Sequence, residues 1–247
     1  MDARFIPSKA SDNSAACSAV RCGDCRLSGI CLPLALESDD IDQLDNIIQR
    51  GRPLQRNAHL YREGDPFTSV YAVRAGALKV YHSSDGGREH ITGFYLPGEI
   101  VGLDGIADNR HGSSAVALET SAICEIPFEA LDKLTDRMPK LRRHFLQLMS
   151  REISDDRQLV SLLGRNSATE RIAVLLLSLS NRSARRHLSA TRLRLPMSRG
   201  DIGNYLGLTV ETVSRTLTRL QRDGIIVVDN REVELCDPQA LSDMLAA

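Results

Sequence analysis

The chain has 247 residues, with 31 Lys and Arg against 32 Asp and Glu, for a formal net charge of −1. At 42% apolar and 26% charged residues it has the composition of a folded globular protein, which excludes a disordered chain and leaves room for one or two domains. The longest apolar stretch, Ile172 to Leu179, falls far short of the ~20 residues that span a bilayer, and the N-terminal MDARFIPSKASDNSAACSAV has no apolar signal segment. Membrane-spanning and secreted classes are thereby excluded and a cytoplasmic protein is expected.

Residues 1–33 read as a Ser/Ala-rich tail that ends in a cysteine loop. Six cysteines stand at 17, 22, 25, 31, 124 and 236, four of them within fifteen residues. A disulfide framework does not suit a chain that can bury a core without staples. Cys22 and Cys25 form C-x-x-C, a spacing from which two thiolates reach one metal or cluster, and Cys31 adds a third sulfur. Zinc and iron–sulfur centres usually take four ligands. Cys124 is the best candidate for the fourth, because a cysteine fixed on a strand can hold a flexible loop through one bond. The competing reading of Cys124 is a small buried hydrophobe. Cys17 and Cys236 read as bystanders.

Residues 34–137 read as a β-rich domain. Leu34–Arg50 is expected as an amphipathic helix through Ile41, Leu44, Ile47 and Ile48. From Pro53 to about Pro127 the pattern becomes short strands, for example Val70–Val73, Leu78–Tyr81 and Ile91–Phe94, with a hairpin turn at Ser84-Asp85-Gly86-Gly87. Many short strands at this spacing predict an antiparallel barrel or jelly roll.

Residues 138–165 read as one long helix, on which Met149, Ile153, Asp156, Val160 and Leu163 advance by 4, 3, 4 and 3 positions. That is either a dimer seam of coiled-coil type or a helix packed on its own barrel. In a two-fold dimer Asp156 meets its own copy, and like charges in a dry seam repel, so such a dimer is marginal and switchable.

Residues 166–247 hold a hidden charge asymmetry. Ten arginines between Arg171 and Arg222 face only Asp201 and Glu211, a block of +8 inside a chain whose remainder carries −9. Such a block is either a solvated face or the footprint of a DNA-binding module. Ser198 caps a helix with Asp201 three residues on, Gly207 stops it, and Thr209 caps a second helix that runs to about Arg222. This is a helix-turn-helix. On the second helix Val210, Val213, Leu217 and Leu220 are expected as the core face, and Glu211, Ser214 and Arg215 as the reading face. Arg suits a guanine edge and Glu a cytosine amino group, although Glu211 also serves as a helix-dipole partner paired with Arg215. Two runs flanking Asp229-Asn230-Arg231, Ile225–Val228 and Glu232–Leu235, form a wing.

Together these motifs resemble the fumarate-and-nitrate-reduction (FNR) branch of the cyclic-AMP receptor protein superfamily, including the anaerobic regulators called Anr. The likeness runs from Cys22 to about residue 240 and is carried by Cys22, Cys25 and Cys31 with Cys124 downstream, by Asp201–Leu208 and by Val210–Arg215. The resemblance implies an α+β architecture: an N-terminal antiparallel β jelly roll like the cyclic-nucleotide-binding domain, a long dimerisation helix, and a C-terminal winged helix-turn-helix. It implies that Cys22, Cys25, Cys31 and Cys124 ligate an oxygen-labile [4Fe-4S] cluster, which oxygen converts to [2Fe-2S] with release of monomers. It further implies that Ser198, Arg199, Thr209, Val210, Glu211, Thr212, Ser214 and Arg215 meet double-stranded DNA at a palindromic site with TTGAT-like half-sites. A homodimer that contacts RNA polymerase through exposed barrel loops, Ser83–Arg88 among them, completes the expectation. Two departures stand out. Ser113 replaces the phosphate-binding Arg of the cyclic-nucleotide binders, although Gly98-Glu99 persists, which disfavours cyclic-AMP sensing. Arg26 follows Cys25 where a small polar residue is expected. The rival readings are a zinc- or other-ligand-sensing Crp-type regulator without an iron–sulfur switch, and a non-regulatory metalloprotein, either a zinc-stabilised module or an electron carrier. No catalytic grouping of Ser, His and acid, and no P-loop, suggests an enzyme.

Overall fold

Pro139 breaks what would otherwise be one continuous helical run. A residue that precedes proline is pushed out of the α region, and Met138 is accordingly at φ −121°, ψ 88°, ending α2 (Phe128–Arg137) just before α3 (Pro139–Leu163) begins. The computed structural model describes residues 20–84, 86–164 and 167–245, and all their side chains except those of 35, 155, 156, 158, 159 and 161–163. Cys17 and the side chains of Asp156 and Leu163 therefore lie outside the described residues. The chain divides into two compact units, one up to Glu152 and one from Ile153 onward.

In the first unit, a 3₁₀ turn at Leu32–Ala35 leads to α1 (Ser38–Ile47) and then to eight strands. These are β1 (Gln49–Arg50), β2 (His59–Tyr61), β3 (Ser69–Ala75), β4 (Leu78–Ser83), β5 (Glu89–Tyr95), β6 (Ile100–Val101), β7 (Ser114–Ala117) and β8 (Ala122–Pro127). They form two four-stranded antiparallel sheets, ordered β1-β8-β3-β6 and β2-β7-β4-β5. The three strand runs named from the sequence fall in β3, β4 and β5, and the Gly87 amide closes the β4–β5 turn onto the Ser84 carbonyl at 2.8 Å.

The helix expected over Leu34–Arg50 is shorter, and Arg50 is not in it. Glu37 and Ile48 are extended, and the Ile48 amide turns back to the Asp45 carbonyl. Gln49 and Arg50 pair instead with Glu125 and Cys124 of β8, so the gain from strand pairing and burial outweighs two more residues of local helix.

One apolar cluster joins the parts of this unit. Leu32, Leu44, Val70, Ile126, Leu131, Leu141 and Phe145 are buried in it, and Cys31, Cys124 and Met149 pack against it. The same core thus touches the cysteine loop, the strand bearing Cys124 and the first turns of α3. Fully burying one such Leu contributes roughly 1.5–3 kcal/mol, which makes the shared core the main tie among these elements.

The second unit contains α4 (Ala168–Arg185), β9 (Arg192–Arg194), α5 (Arg199–Leu206), α6 (Val210–Arg222), β10 (Ile226–Asp229), β11 (Glu232–Leu235) and α7 (Pro238–Asp243). Its sheet runs β10-β11-β9, so the wing has a third strand beyond the hairpin read from sequence. Among the described residues no helix is long and apolar enough to cross a membrane.

Candidate functional site

Cys22 to Cys31 is a run of tight turns rather than a helix or strand. The Cys25 amide reaches the Cys22 carbonyl at 3.3 Å, Ser28 the Cys25 carbonyl at 2.9 Å, and Cys31 the Leu27 carbonyl at 2.9 Å. The loop is moored at its start, where the Cys22 amide donates to Asp45 Oδ1 at 2.8 Å. It is moored again at its end, where the Cys31 carbonyl and His144 Nε2 of α3 are 3.1 Å apart. Cys124 stands in β8 opposite Arg50 on one side and Ala72 on the other.

The four thiols are electrostatic neighbours. Burial first, then Asp45, pushes the Cys22 thiol up to about 12, with Cys124 adding to the rise and Arg50 opposing it. Burial also takes Cys31 up to about 12, with Cys124 and Cys25 raising it further. Cys124 is raised by burial and by Cys25, against the pull of Arg50 and Arg74. Low-dielectric surroundings disfavour a bare thiolate, whereas a bound cation makes the thiolate form the stable one. Among the described residues no three His, Cys, Asp or Glu side chains already converge at ligating distance, so the thiols are gathered without forming a closed cage. In kind they fit a soft-metal or iron–sulfur centre: four sulfurs, two of them beside a guanidinium, at the edge of an apolar core. Cys236 is exposed in the other unit, and Arg26 is exposed beside Cys25.

Ser113 and Glu99, which the resemblance sets in the region where cyclic-nucleotide binders hold their ligand, are engaged by neighbouring groups. Ser113 is buried and its hydroxyl donates to Asp104 Oδ2 at 2.7 Å, while His111 Nδ1 lies 3.5 Å from Asp104 Oδ1 and its ring stacks on Tyr61 at 3.7 Å. Glu99 accepts the Leu96 amide at 2.8 Å. Neither Ser113 nor Glu99 offers a cation to a phosphate.

In the second unit, α5 begins with a reciprocal capping box. The Ser198 hydroxyl accepts from the Asp201 amide at 3.0 Å, and Asp201 Oδ2 accepts from the Ser198 amide at 2.9 Å. The helix ends at Gly207 in the left-handed region, φ 63°, and Thr209 caps α6 by accepting from the Thr212 amide at 3.2 Å. On α6, Val213, Leu217 and Leu220 are buried at 0%, 4% and 1% exposure, whereas Val210 is 45% exposed. Val210 therefore does not belong to the core face. At the first helical position its side chain sits beyond the hydrophobic contact that the following turns make. Glu211, Ser214 and Arg215 are exposed together, and Thr212 is half-buried. The Glu211 carboxyl is held below its usual range by its own backbone N–H and the Thr209 hydroxyl. Arg199 is half-buried, and its Nη2 donates to the Asn230 carbonyl in the wing turn at 3.3 Å.

A cleft of about 560 Å³ opens between the start of α4 and α6, lined by Thr169, Thr212, Arg215, Arg219 and Arg222. Arg219 and Arg222 were not singled out as site residues from sequence. Their signal was available: from Arg215 they follow at i+4 and i+7, one face of the helix. On α3, Ile153 is 52% and Val160 72% exposed, Met149 packs on the core, and Leu146 at 57% exposure extends the same 3/4 spacing upstream. The 4, 3, 4, 3 pattern read from the sequence begins at Met149 and so leaves Leu146 out.

Comparison with known proteins matches residues 51–138 to the cyclic nucleotide-binding domain and residues 170–244 to the Crp-like helix-turn-helix domain. The chain is 53% identical to the transcriptional activator protein FnrA of Stutzerimonas stutzeri over 87% of this chain and 88% of the relative. It is 46% identical to the fumarate and nitrate reduction regulatory protein of Escherichia coli K12 over 92% and 90%. Among solved structures it is similar to FixK2 from Bradyrhizobium japonicum, at 33% identity and TM-score 0.72, covering 79% of this chain and 96% of that one. The first of these is named a transcriptional activator and the second a regulatory protein. With a cyclic nucleotide-binding domain match, a capped helix-turn-helix and relatives of this kind matched over about nine-tenths of their length, the chain belongs to the FNR/Anr branch of the Crp/Fnr family of DNA-binding transcription regulators.

Proposed function

We propose that the chain is a cytoplasmic, oxygen-responsive regulator, mainly an activator of anaerobic metabolism genes. In this reading Cys22, Cys25, Cys31 and Cys124 hold a [4Fe-4S] cluster, and loading of those thiols favours a homodimer on palindromic TTGAT-like sites. When bound, such a cluster supplies an oxygen-labile inorganic core. The chain's residues do the rest. Cys22, Cys25 and Cys31 come from the turn loop and Cys124 from β8, so ligation clamps the loop to the barrel.

The observation that carries the reading is the shared packing of Cys31 and Cys124 with Leu141, Phe145 and Met149, reinforced by His144 at the Cys31 carbonyl. A shift of the loop is felt by α3 directly. Leu146, Ile153 and Val160 give α3 an exposed apolar stripe, which supports Met149, Ile153, Asp156, Val160 and Leu163 as the dimer face. Pairing two subunits presents two α6 helices to half-sites ~34 Å apart. Because both must bind together, a modest change in dimerisation becomes a large change in occupancy.

Glu211, Ser214 and Arg215 read bases, and Ser198, Arg199, Thr209, Val210 and Thr212 complete the DNA contact. RNA polymerase is the further partner, through barrel loops such as that at residues 83–88. The test is a gel shift on a palindromic TTGAT duplex with sedimentation of the same samples, under nitrogen and after air. The reading expects a dimer that binds under nitrogen and a weakly binding monomer after air. Equal binding and equal mass in both conditions contradict it, and an air-stable, colourless, zinc-containing dimer selects the zinc-regulator alternative.

A further inference from the structure

Arg50 stands where three parts of the cysteine site meet. It lies in β1 directly opposite Cys124, its Nη2 donates to Asp45 Oδ1, and the same nitrogen is 3.6 Å from Cys22 Sγ. Its charge also draws the Cys124 thiol down against the rise that burial imposes. Asp45 Oδ1 in turn accepts the Cys22 amide at 2.8 Å, and Asp45 Oδ2 lies 3.5 Å from Arg21 Nε. Both partners are nearly enclosed, with side-chain exposures of 14% for Arg50 and 10% for Asp45.

One guanidinium N–H is left over. Arg50 Nε is buried and has no hydrogen-bond acceptor in the described structure. A buried, unmatched donor on a charged group is costly, and Asp45, which takes Nη2 and the Cys22 amide on Oδ1, does not take this one. What that donor lacks is a nearby electron-rich acceptor, which a four-thiolate anionic core provides.

We propose that the Asp45–Arg50 pair is the positioning device of the four-cysteine site: Asp45 fixes the Cys22 main chain, and Arg50 bridges the Cys22 and Cys124 sulfurs while offsetting the negative charge that gathers there. The assignment rests on the reading of the four cysteines as cluster ligands. It ties the C-x-x-C loop to β8 through Cys22 and Cys124, and it makes the pocket selective for an anionic, sulfur-rich occupant. The planar fork is essential, since a guanidinium can donate in several directions at once and an ammonium cannot hold the same geometry.

The test uses the full chain, purified and loaded without oxygen, in wild-type, Arg50→Met and Arg50→Lys forms. Each is assayed for iron and sulfide per chain and for the rate at which an iron chelator strips the iron under nitrogen. Thermal melting of the unloaded chains separates folding from positioning. Arg50→Met is expected to lose iron at least tenfold faster than wild type while melting within a few degrees of it. Arg50→Lys, which keeps charge and bulk but not the fork, is expected to fall between the two. If both variants keep iron as long as wild type, the positioning role is overturned with the ligand set intact. If Arg50→Met does not fold, Arg50→Lys decides alone, and a wild-type stripping rate in that variant overturns the proposal. If wild type itself holds no iron, the cluster reading fails, and the proposal falls with it.

Discussion

Gly203 is the tightest point of the helix-turn-helix, and an added methyl there has a calculable consequence. A Cβ built on Gly203 would lie 2.7 Å from the Leu208 carbonyl oxygen and 3.5 Å from the Thr209 carbonyl carbon, both backbone atoms of the α5–α6 turn. The same turn is closed by the Leu208 amide donating to the Gly203 carbonyl at 2.8 Å. No side-chain rotation relieves the clash, so α5 and α6 must separate by several tenths of an ångström. Overpacking of this kind costs about 1–3 kcal/mol. For a domain of 60–100 residues each kcal/mol lowers Tm by about 4–8 °C. Gly203→Ala is therefore expected to lower the calorimetric transition of the DNA-binding unit by at least about 4 °C and to weaken duplex binding. Gly200→Ala is the internal control, because its Cβ meets Ser198 Oγ at 3.5 Å and Val210 Cγ2 at 3.9 Å, ordinary contacts. Equal melting of the two variants would show that the turn is not tight and refute the reasoning.

Other substitutions probe the separate links. Arg215→Ala should cost ~1–3 kcal/mol of specific affinity and relax discrimination at one base position, and a gel-shift titration that matches wild type removes Arg215 from the reading set. Gly98→Ala combines a left-handed backbone, φ +93°, with a Cβ only 2.5 Å from Ile30 Cδ1, next to Cys31. It should destabilise the barrel by about 1–3 kcal/mol and speed iron loss, both read on the anaerobic protein. Asp104 gives a pH signature. Burial raises its carboxyl, but the neighbouring His111 ring and the Ser113 hydrogen bond overcome this and hold it below its ordinary value. A lowered carboxyl contributes stability that is present above the unfolded pKa and is lost as pH falls through the folded one. Asp104→Asn should therefore flatten the fall in barrel stability below about pH 4, and urea midpoints that keep the wild-type pH slope there would count against it.

What the sequence made legible depended on how local the cause was. Ser198, Asp201, Gly207 and Thr209 announce their helices because capping and termination act within a few residues, and α5 and α6 have the bounds those residues set. The β3, β4 and β5 runs were equally plain from alternation and the turn between β4 and β5. Arg50 was misplaced because its strand pairing with Cys124 acts across 74 positions of chain, against a helical pattern that was locally sound. Val210 was misread because periodicity gives a face but not where along the helix that face stops being covered. The third wing strand, β9, pairs with a strand some 40 residues later and leaves only a three-residue trace in the sequence. The grouping of the cysteines could be suspected from C-x-x-C, but Asp45, Arg50 and His144 around them belong to other elements and had no spacing to betray them.

The central claim is that one loop and one strand grip the same inorganic core. Iron and acid-labile sulfide per chain, with the absorption spectrum, measured under nitrogen on wild type and on Cys22→Ala, Cys124→Ala and Cys17→Ala, test it most directly. The account predicts about four irons and four sulfides with an air-bleached band near 400–420 nm in wild type and Cys17→Ala, and loss of both in Cys22→Ala and in Cys124→Ala. Full iron and sulfide in Cys124→Ala would contradict it.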